Sequence, residues 1–153
     1  MTAARLVVDS SVLTALVHGK DRHHATARAW FAGLSGGSEL LMPSIALCEV
    51  ASALSRNGIE PAKVDKALAM VKTWVNALST SDDLIEGATA IARDYKVRGC
   101  DSIFVALAMS QRAGLVTLDK DQAKKGAAVV KVECLEAGES PPPTPAANKG
   151  NKK

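Results

Sequence analysis

Four carboxylates are set apart from the rest of the 16 acidic residues by where they fall in the chain. Asp9 closes the aliphatic run "RLVV", and Asp119 follows "LVTL". Glu49 and Asp101 are embedded in the two most apolar helical stretches, "SIALCEVASAL" and "RGCDSIFVALAMS". Collected at one place, these groups would repel one another and have raised pKa values, a penalty that a divalent cation removes. Hard oxygen donors without a His/Cys cluster select magnesium or manganese over zinc.

Three of the four also have a purely structural reading. Asp9, before "SSVLTAL", and Asp101, before "SIFVALA", can each cap a helix, a role aspartate fills well. Asp119 with Gln122 three residues on resembles a capping box. Glu49 has no such reading. Its helical neighbours Ile45, Ala46, Ser52 and Ala53 include no base, and an uncompensated carboxylate among apolar groups costs several kcal/mol. It must point to solvent or face a cation.

The elements that would position these acids alternate along the chain. "RLVV", "LLM", "VNAL", "LVTL" and "AVVKV" read as short strands, the first and fourth of them buried. Between them lie helical stretches: "SSVLTALVHG"; "DRHHATARAWFAGL" with Asp21 as its N-cap; "SIALCEVASALSRNG" ending at Asn57-Gly58; "PAKVDKALAMVKTW"; "SDDLIEGATAIARDYKV"; the Asp101 to Arg112 run; and "DKDQAKKG" as a short helix or loop. Such alternation implies an α/β domain with a parallel sheet covered on both faces. In sheets of this kind ligands bind outside the carboxyl ends of the strands, which is where Asp9 and Asp119 fall.

The 153 residues, 47% of them hydrophobic, suit one compact domain. A net charge of +3 permits a polyanionic partner without requiring one. Cys48, Cys100 and Cys134 show no CxxC spacing. Cys48 and Cys100 sit in apolar runs, where a free cysteine behaves as a small hydrophobe in a reducing compartment. The start lacks a signal-peptide pattern, and no apolar run is long enough for a bilayer. These features predict a soluble, cytoplasmic protein. His18, His23 and His24 read as surface imidazoles. The proline-rich, basic-ended segment 138–153 is expected to be disordered, leaving a domain over 2–137.

In order and approximate separation, "LVVDSSVL", "SIALCEVASAL", "RGCDSIFVALA" and "LVTLDKD" resemble the four blocks of PIN-domain ribonucleases, and among these the VapC-type toxins of toxin–antitoxin pairs. The resemblance runs from Leu6 to about Val132. It implies a PIN-like three-layer α/β/α fold with a central, mostly parallel sheet of four to five strands. By it, Asp9, Glu49, Asp101 and Asp119 are the catalytic acids, with Asp9 and Asp101 the candidate direct ligands of a magnesium or manganese ion; Glu49 and Asp119 would bind the metal too, hold its waters or orient the attacking water. Ser11, Thr117 and Asp121 match supporting positions, and Arg98 and Lys120 are candidate RNA contacts. The implied activity is metal-dependent hydrolysis of RNA, in which the ion activates water and neutralises phosphate charge. The implied partners are an RNA substrate, a cognate antitoxin bound to the early helices around "VLTALV" and "AWFAGL", and a second copy in a homodimer. The aromatic residues, "AWF", Trp74 and Phe104, look like packing residues and form no base-stacking platform.

Other readings fit less well. A receiver domain needs an acid pair after its first strand, and "VVDSS" offers one acid. A nucleotide-binding domain needs GxGxxG or GxxxxGK[ST], and "GLSGGSE" is neither. The stronger rival is a PIN-like interaction module that is catalytically silent. The RNA target, the number of ions, the antitoxin's identity and the oligomeric state are left open.

Overall fold

The aliphatic run before Asp9 forms β1 (Arg5–Val8), the central strand of a five-stranded sheet in a computed structural model that describes residues 3–135. Along the chain follow α1 (Ser10–Val17), α2 (His24–Ala32), β2 (Glu39–Pro43), α3 (Ile45–Arg56), α4 (Pro61–Trp74), β3 (Asn76–Leu78), α5 (Asp82–Tyr95), α6 (Gly99–Ser110), β4 (Gly114–Thr117), α7 (Lys120–Gly126) and β5 (Val132–Cys134). The strand order is β3-β2-β1-β4-β5, and every pairing is parallel. The expected α/β architecture is therefore present, with five strands and no antiparallel member among the described residues. The expected tail 138–153, and the outer residues of the expected 2–137 domain, lie outside the described residues.

The order of the strands decides where a site can form. From β1 the chain steps outward to β2 and β3, then returns across the sheet to place β4 on the other side of β1. Right-handed crossovers put helices on opposite faces when the direction of travel reverses. Accordingly α1 to α4 pack among themselves, whereas α6 lies on β1, β2 and β4 with α5 and α7 beside it. Between β1 and β4 the connections diverge to the two faces, and a crevice opens at the carboxyl ends of those strands. Asp9 and Asp119 stand at this switch point.

Both layers are held by apolar burial. Val7, Val8, Leu13, Met42, Phe104 and Leu115 are all at or near zero exposure. Seven successive residues of α6, Ser102 to Ala108, are buried, which explains why this helix reads as continuously apolar rather than amphipathic. The aromatic residues pack as expected: Phe31 stacks at 5.1 Å from Trp74, and Phe104 is in the core.

Several expectations are corrected. The last strand is Val132–Cys134 rather than "AVVKV", because the amides of Val129 and Val130 bond back to the Gly126 carbonyl and prolong the end of α7. Helix α2 starts at His24, and the Asp21 carboxylate instead accepts the His23 amide in the preceding turn. Cys48 and Cys100 are exposed, not small core hydrophobes, since their apolar runs turn those positions outward. "VLTALV" is core: Val12, Leu13, Ala15 and Leu16 are buried, so it offers no partner surface. His18, His23 and His24 are half-buried rather than surface groups, and His24 Nδ1 lies 2.7 Å from the Ala15 carbonyl oxygen.

Candidate active site

A cavity of about 780 Å³ opens at the carboxyl ends of β1 and β4 and is lined by Asp9, Glu49, Asp101 and Asp119 together. Their segments are far apart in sequence: the end of β1, the middle of α3, the first turn of α6 and the N-terminus of α7. Four of the six buried polar residues, Asp9, Ser10, Thr117 and Gln122, belong to or adjoin this region. Polar burial is thus concentrated where the acids meet.

Asp9 is the anchor. It is the N-cap of α1 and only 4% exposed. Its Oδ2 accepts from the Ser11 hydroxyl at 2.5 Å, the Thr117 hydroxyl at 3.0 Å and, more weakly, the Ser11 amide at 3.4 Å. None of these bonds falls on Oδ1. Burial raises the pKa of Asp9 and the Asp101 charge adds to the rise, while the two hydroxyls oppose it. The Ser11 oxygen also accepts the Leu118 amide at 3.1 Å, which ties the loop after β4 to the start of α1.

Glu49 hangs over the same cavity from α3. Its Oε2 accepts from the Ser10 hydroxyl at 3.2 Å, and its buried Oε1 has no partner. Burial, then repulsion from Asp9 and Asp101, pushes its pKa up against the Ser10 hydrogen bond. Asp101 is the third residue of α6 and not its cap, a place taken by Arg98. The carboxylate accepts from Arg98 Nε at 2.8 Å. Its pKa is nonetheless raised, because burial outweighs the guanidinium and the charges of Asp119 and Asp121 oppose ionisation.

Asp119 does cap α7: its Oδ1 accepts the amides of Asp121 and Gln122. Its other oxygen bonds Arg98, so one guanidinium bridges Asp101 and Asp119. Thr117 is fully buried beneath Asp9. Asp121 and Lys120 are not among the residues lining the cavity. Asp121 points outward and pairs with Lys125 at 2.9 Å, which lowers its pKa.

Gln122 escaped the sequence reading, which took it for the second half of a capping box. It is 1% exposed, and its Oε1 lies 2.8 Å from the Thr117 hydroxyl rather than reaching back to the Asp119 amide. That amide bonds Thr117 Oγ1 instead. The Thr117 hydroxyl has one proton and two acceptors within reach, Asp9 and Gln122. Turning the Gln122 amide end for end lets its nitrogen donate to Thr117 and leaves that proton for Asp9. The nitrogen has no other partner. A buried glutamine between two strand-end acids is the signal that would have found it.

The donor set fits a hard divalent cation. It consists of carboxylate oxygens, one of them buried without a partner, whose mutual repulsion a cation would relieve. Among the described residues no three His, Cys, Asp or Glu side chains form a ready-made metal cage. The hold of Arg98 on Asp101 and Asp119 gives one reason for that.

Comparison with known proteins follows the same line. A family model of the PIN domain matches residues 6–128. Among solved structures, the chain is similar to Mycobacterium tuberculosis VapC20, described as a sarcin–ricin loop cleaving toxin: 23% identity, TM-score 0.69, covering 83% of this chain and 98% of that one. It is similar also to a chain of a toxin–antitoxin complex from Klebsiella pneumoniae (20% identity, TM-score 0.66, 88% and 98% covered). VapBC-1 from nontypeable Haemophilus influenzae gives 16% identity and a TM-score of 0.66, with 86% and 98% covered. At these identities the likeness is one of fold. No curated protein matches the sequence.

Proposed function

The chain belongs to the PIN domain family, and from that premise we propose that it is a metal-dependent endoribonuclease, the toxin of a toxin–antitoxin pair, acting on RNA phosphodiester bonds in the cytoplasm. The observation that carries this reading is the convergence of four acids from four distant segments on one cavity at the strand switch point. A silent interaction module has no need of Glu49, which caps no helix and keeps a buried oxygen without a partner among the described residues.

Asp9 and Asp101 would hold a magnesium or manganese ion. When bound, such an ion supplies an activated water and neutralises charge on the scissile phosphate. Asp9 is held in place through Oδ2 by Ser11 and Thr117, so its other oxygen stays available. Hydrogen bonds of this kind behind a ligand fix its direction and raise its affinity for metal. Glu49, with its unpartnered oxygen, is placed to orient the attacking water. Asp119 is shared between capping α7 and holding Arg98, and would bind at the edge of the site. Arg98, largely exposed, is suited to contact the RNA phosphate. Lys120, at the start of α7, is a second candidate for RNA contact.

Several structural neighbours are toxin–antitoxin complexes, and the reading extends an antitoxin partner and a homodimer to this chain. Among the described residues no helix is long and apolar enough to cross a membrane. The test is cleavage of a mixed pool of structured and unstructured RNAs by the purified protein with magnesium, manganese or EDTA. Metal-dependent cutting abolished by EDTA is expected. A folded protein that cuts nothing with either metal would contradict the reading.

A further inference from the structure

The acids occupy only part of the cavity wall; the rest includes Arg22 and His23, from the connection between α1 and α2, and Arg56 in the last turn of α3. Neither Arg22 nor Arg56 takes part in an ion pair among the described residues, unlike Arg5, Arg93 and Arg98. Each is instead steadied by a neutral acceptor. Arg22 Nε donates to His23 Nε2 at 2.9 Å, and Arg56 Nε donates to the Ser52 carbonyl at 3.3 Å. In both, the remaining guanidinium N–H groups have no partner among the described residues. Asp21, the residue before Arg22, has its Oδ1 on the His23 amide.

Charge balance sharpens the point. Five carboxylates and three guanidiniums line the cavity, so it is formally short of two positive charges. One divalent ion on the acid side would cancel that deficit, leaving Arg22 and Arg56 as the uncommitted positive wall. A cavity of about 780 Å³ falls within the ~300–1,000 Å³ of sites that enclose drug-sized ligands. That is far more than one metal ion needs. A guanidinium presents a planar fork of donors that matches phosphate oxygens.

From this geometry we propose that Arg22 and Arg56 form a second phosphate-binding subsite, which holds a backbone phosphate next to the scissile one and thereby sets the path of the RNA strand across the cavity. The proposal rests on the ribonuclease reading and adds to it the way the strand is gripped. Arg98 stays with the acids, while Arg22 and Arg56 act on the flanking nucleotide. The subsite reads backbone rather than bases, so it contributes affinity and register without sequence preference.

The test is binding without cleavage. A fluorescein-labelled single-stranded RNA of eight nucleotides would be titrated by anisotropy with Asp101→Asn, in magnesium, over a range of salt concentrations. The same would be done with Arg22→Ala and Arg56→Ala added to that background. Each single-strand phosphate neutralised contributes about 0.7 to the slope of log affinity against log salt, so removing both arginines, which share one phosphate, should lower the slope by about 0.7. Affinity at low salt should fall tenfold or more. Lys66→Ala with Lys72→Ala, on the exposed side of α4 and outside the cavity, removes the same net charge and should leave the slope nearly unchanged. Thermal melts would establish that all variants fold. An unchanged slope in the arginine double variant, with RNA still bound, would overturn the subsite and leave the ribonuclease reading standing. No RNA binding by the arginine-intact protein would overturn both.

Discussion

The two ends of the central sheet are built on opposite electrostatic terms. At the amino ends of the strands, Arg5 Nε meets Glu39 Oε2 at 2.7 Å across β1 and β2, and another nitrogen of Arg5 donates to the Gln111 carbonyl at 2.9 Å. Packing is close there: a Cβ on Gly114 would come within 3.2 Å of Leu6 Cδ2. The cavity at this end is about 440 Å³ and has Arg5, Trp30 and Lys131 on its walls. At the carboxyl ends, the length of β1 away, Asp9, Glu49 and Asp101 are each harder to ionise than usual, first because they are buried and second because neighbouring acids repel them. At the amino end Arg5 is paired with Glu39, whereas at the carboxyl end five cavity-lining carboxylates face three guanidiniums, a deficit that a cation would relieve. Folded chains pay such strain at functional sites, and the difference locates the function at the carboxyl end.

The largest effect expected from breaking this contrast is at Asp9. Asp9→Asn keeps a capping side chain for α1 but removes the buried charge. Metal-ion catalysis contributes several kcal/mol, so RNA cleavage should fall on the order of 10²–10³-fold, while circular dichroism reports an intact fold. Cleavage near the wild-type rate would mean that Asp9 is only a cap.

Next is Gln122→Met, which keeps the volume but removes the bond to Thr117. Substitution behind a metal ligand typically costs about 10–100-fold in metal affinity, which manganese calorimetry would measure. An unchanged affinity would reduce Gln122 to filling of the core.

Glu49→Gln should act in the opposite direction on stability. The folded-state pKa values of Asp9, Glu49 and Asp101 lie above their unfolded values. Between the ordinary carboxylate range and those raised values the native state therefore binds more protons than the unfolded chain. The contribution of these three groups to metal-free stability is fullest below that range and declines as pH rises through the window. Removing the Glu49 charge should raise the metal-free Tm at neutral pH by on the order of 2 °C, and the gain should vanish in acid. A lower Tm at neutral pH would show that the charge is compensated in the folded protein.

The smallest effect belongs to the other end. Arg5→Ala breaks an exposed ion pair, worth under about 1 kcal/mol and weakened by salt, and should leave RNA cleavage unchanged. A cleavage defect would undo the separation of the two ends.

Much of this arrangement was legible in the chain. The strands ending at Asp9 and before Asp119, and the helices carrying Glu49 and Asp101, follow from short aliphatic runs and their punctuation. Even the position of the crevice follows from strand alternation. What the sequence left hidden was set by tertiary contact. Gln122 looks like half of a capping box until β4 brings Thr117 beneath Asp9. Arg98 reads as a candidate RNA contact, and nothing in the sequence shows that it bridges two acids 18 residues apart. Arg22 and Arg56 have no motif at all; only the packing of α1 against α3 brings their segments to one cavity. For "VLTALV" the resemblance offered a partner surface beside the default of core packing, and the structure makes it core, because an apolar run does not distinguish core from interface.

The most direct test of the account compares wild type with Asp101→Asn, measuring manganese binding by calorimetry and RNA cleavage on the same preparations. The account predicts that the wild type binds manganese and cuts RNA only in its presence. The folded variant should lose most of both, because Asp101 lies within the first turn of α6 and is not needed as its cap. Equal manganese affinity and equal cleavage in the two proteins would contradict it.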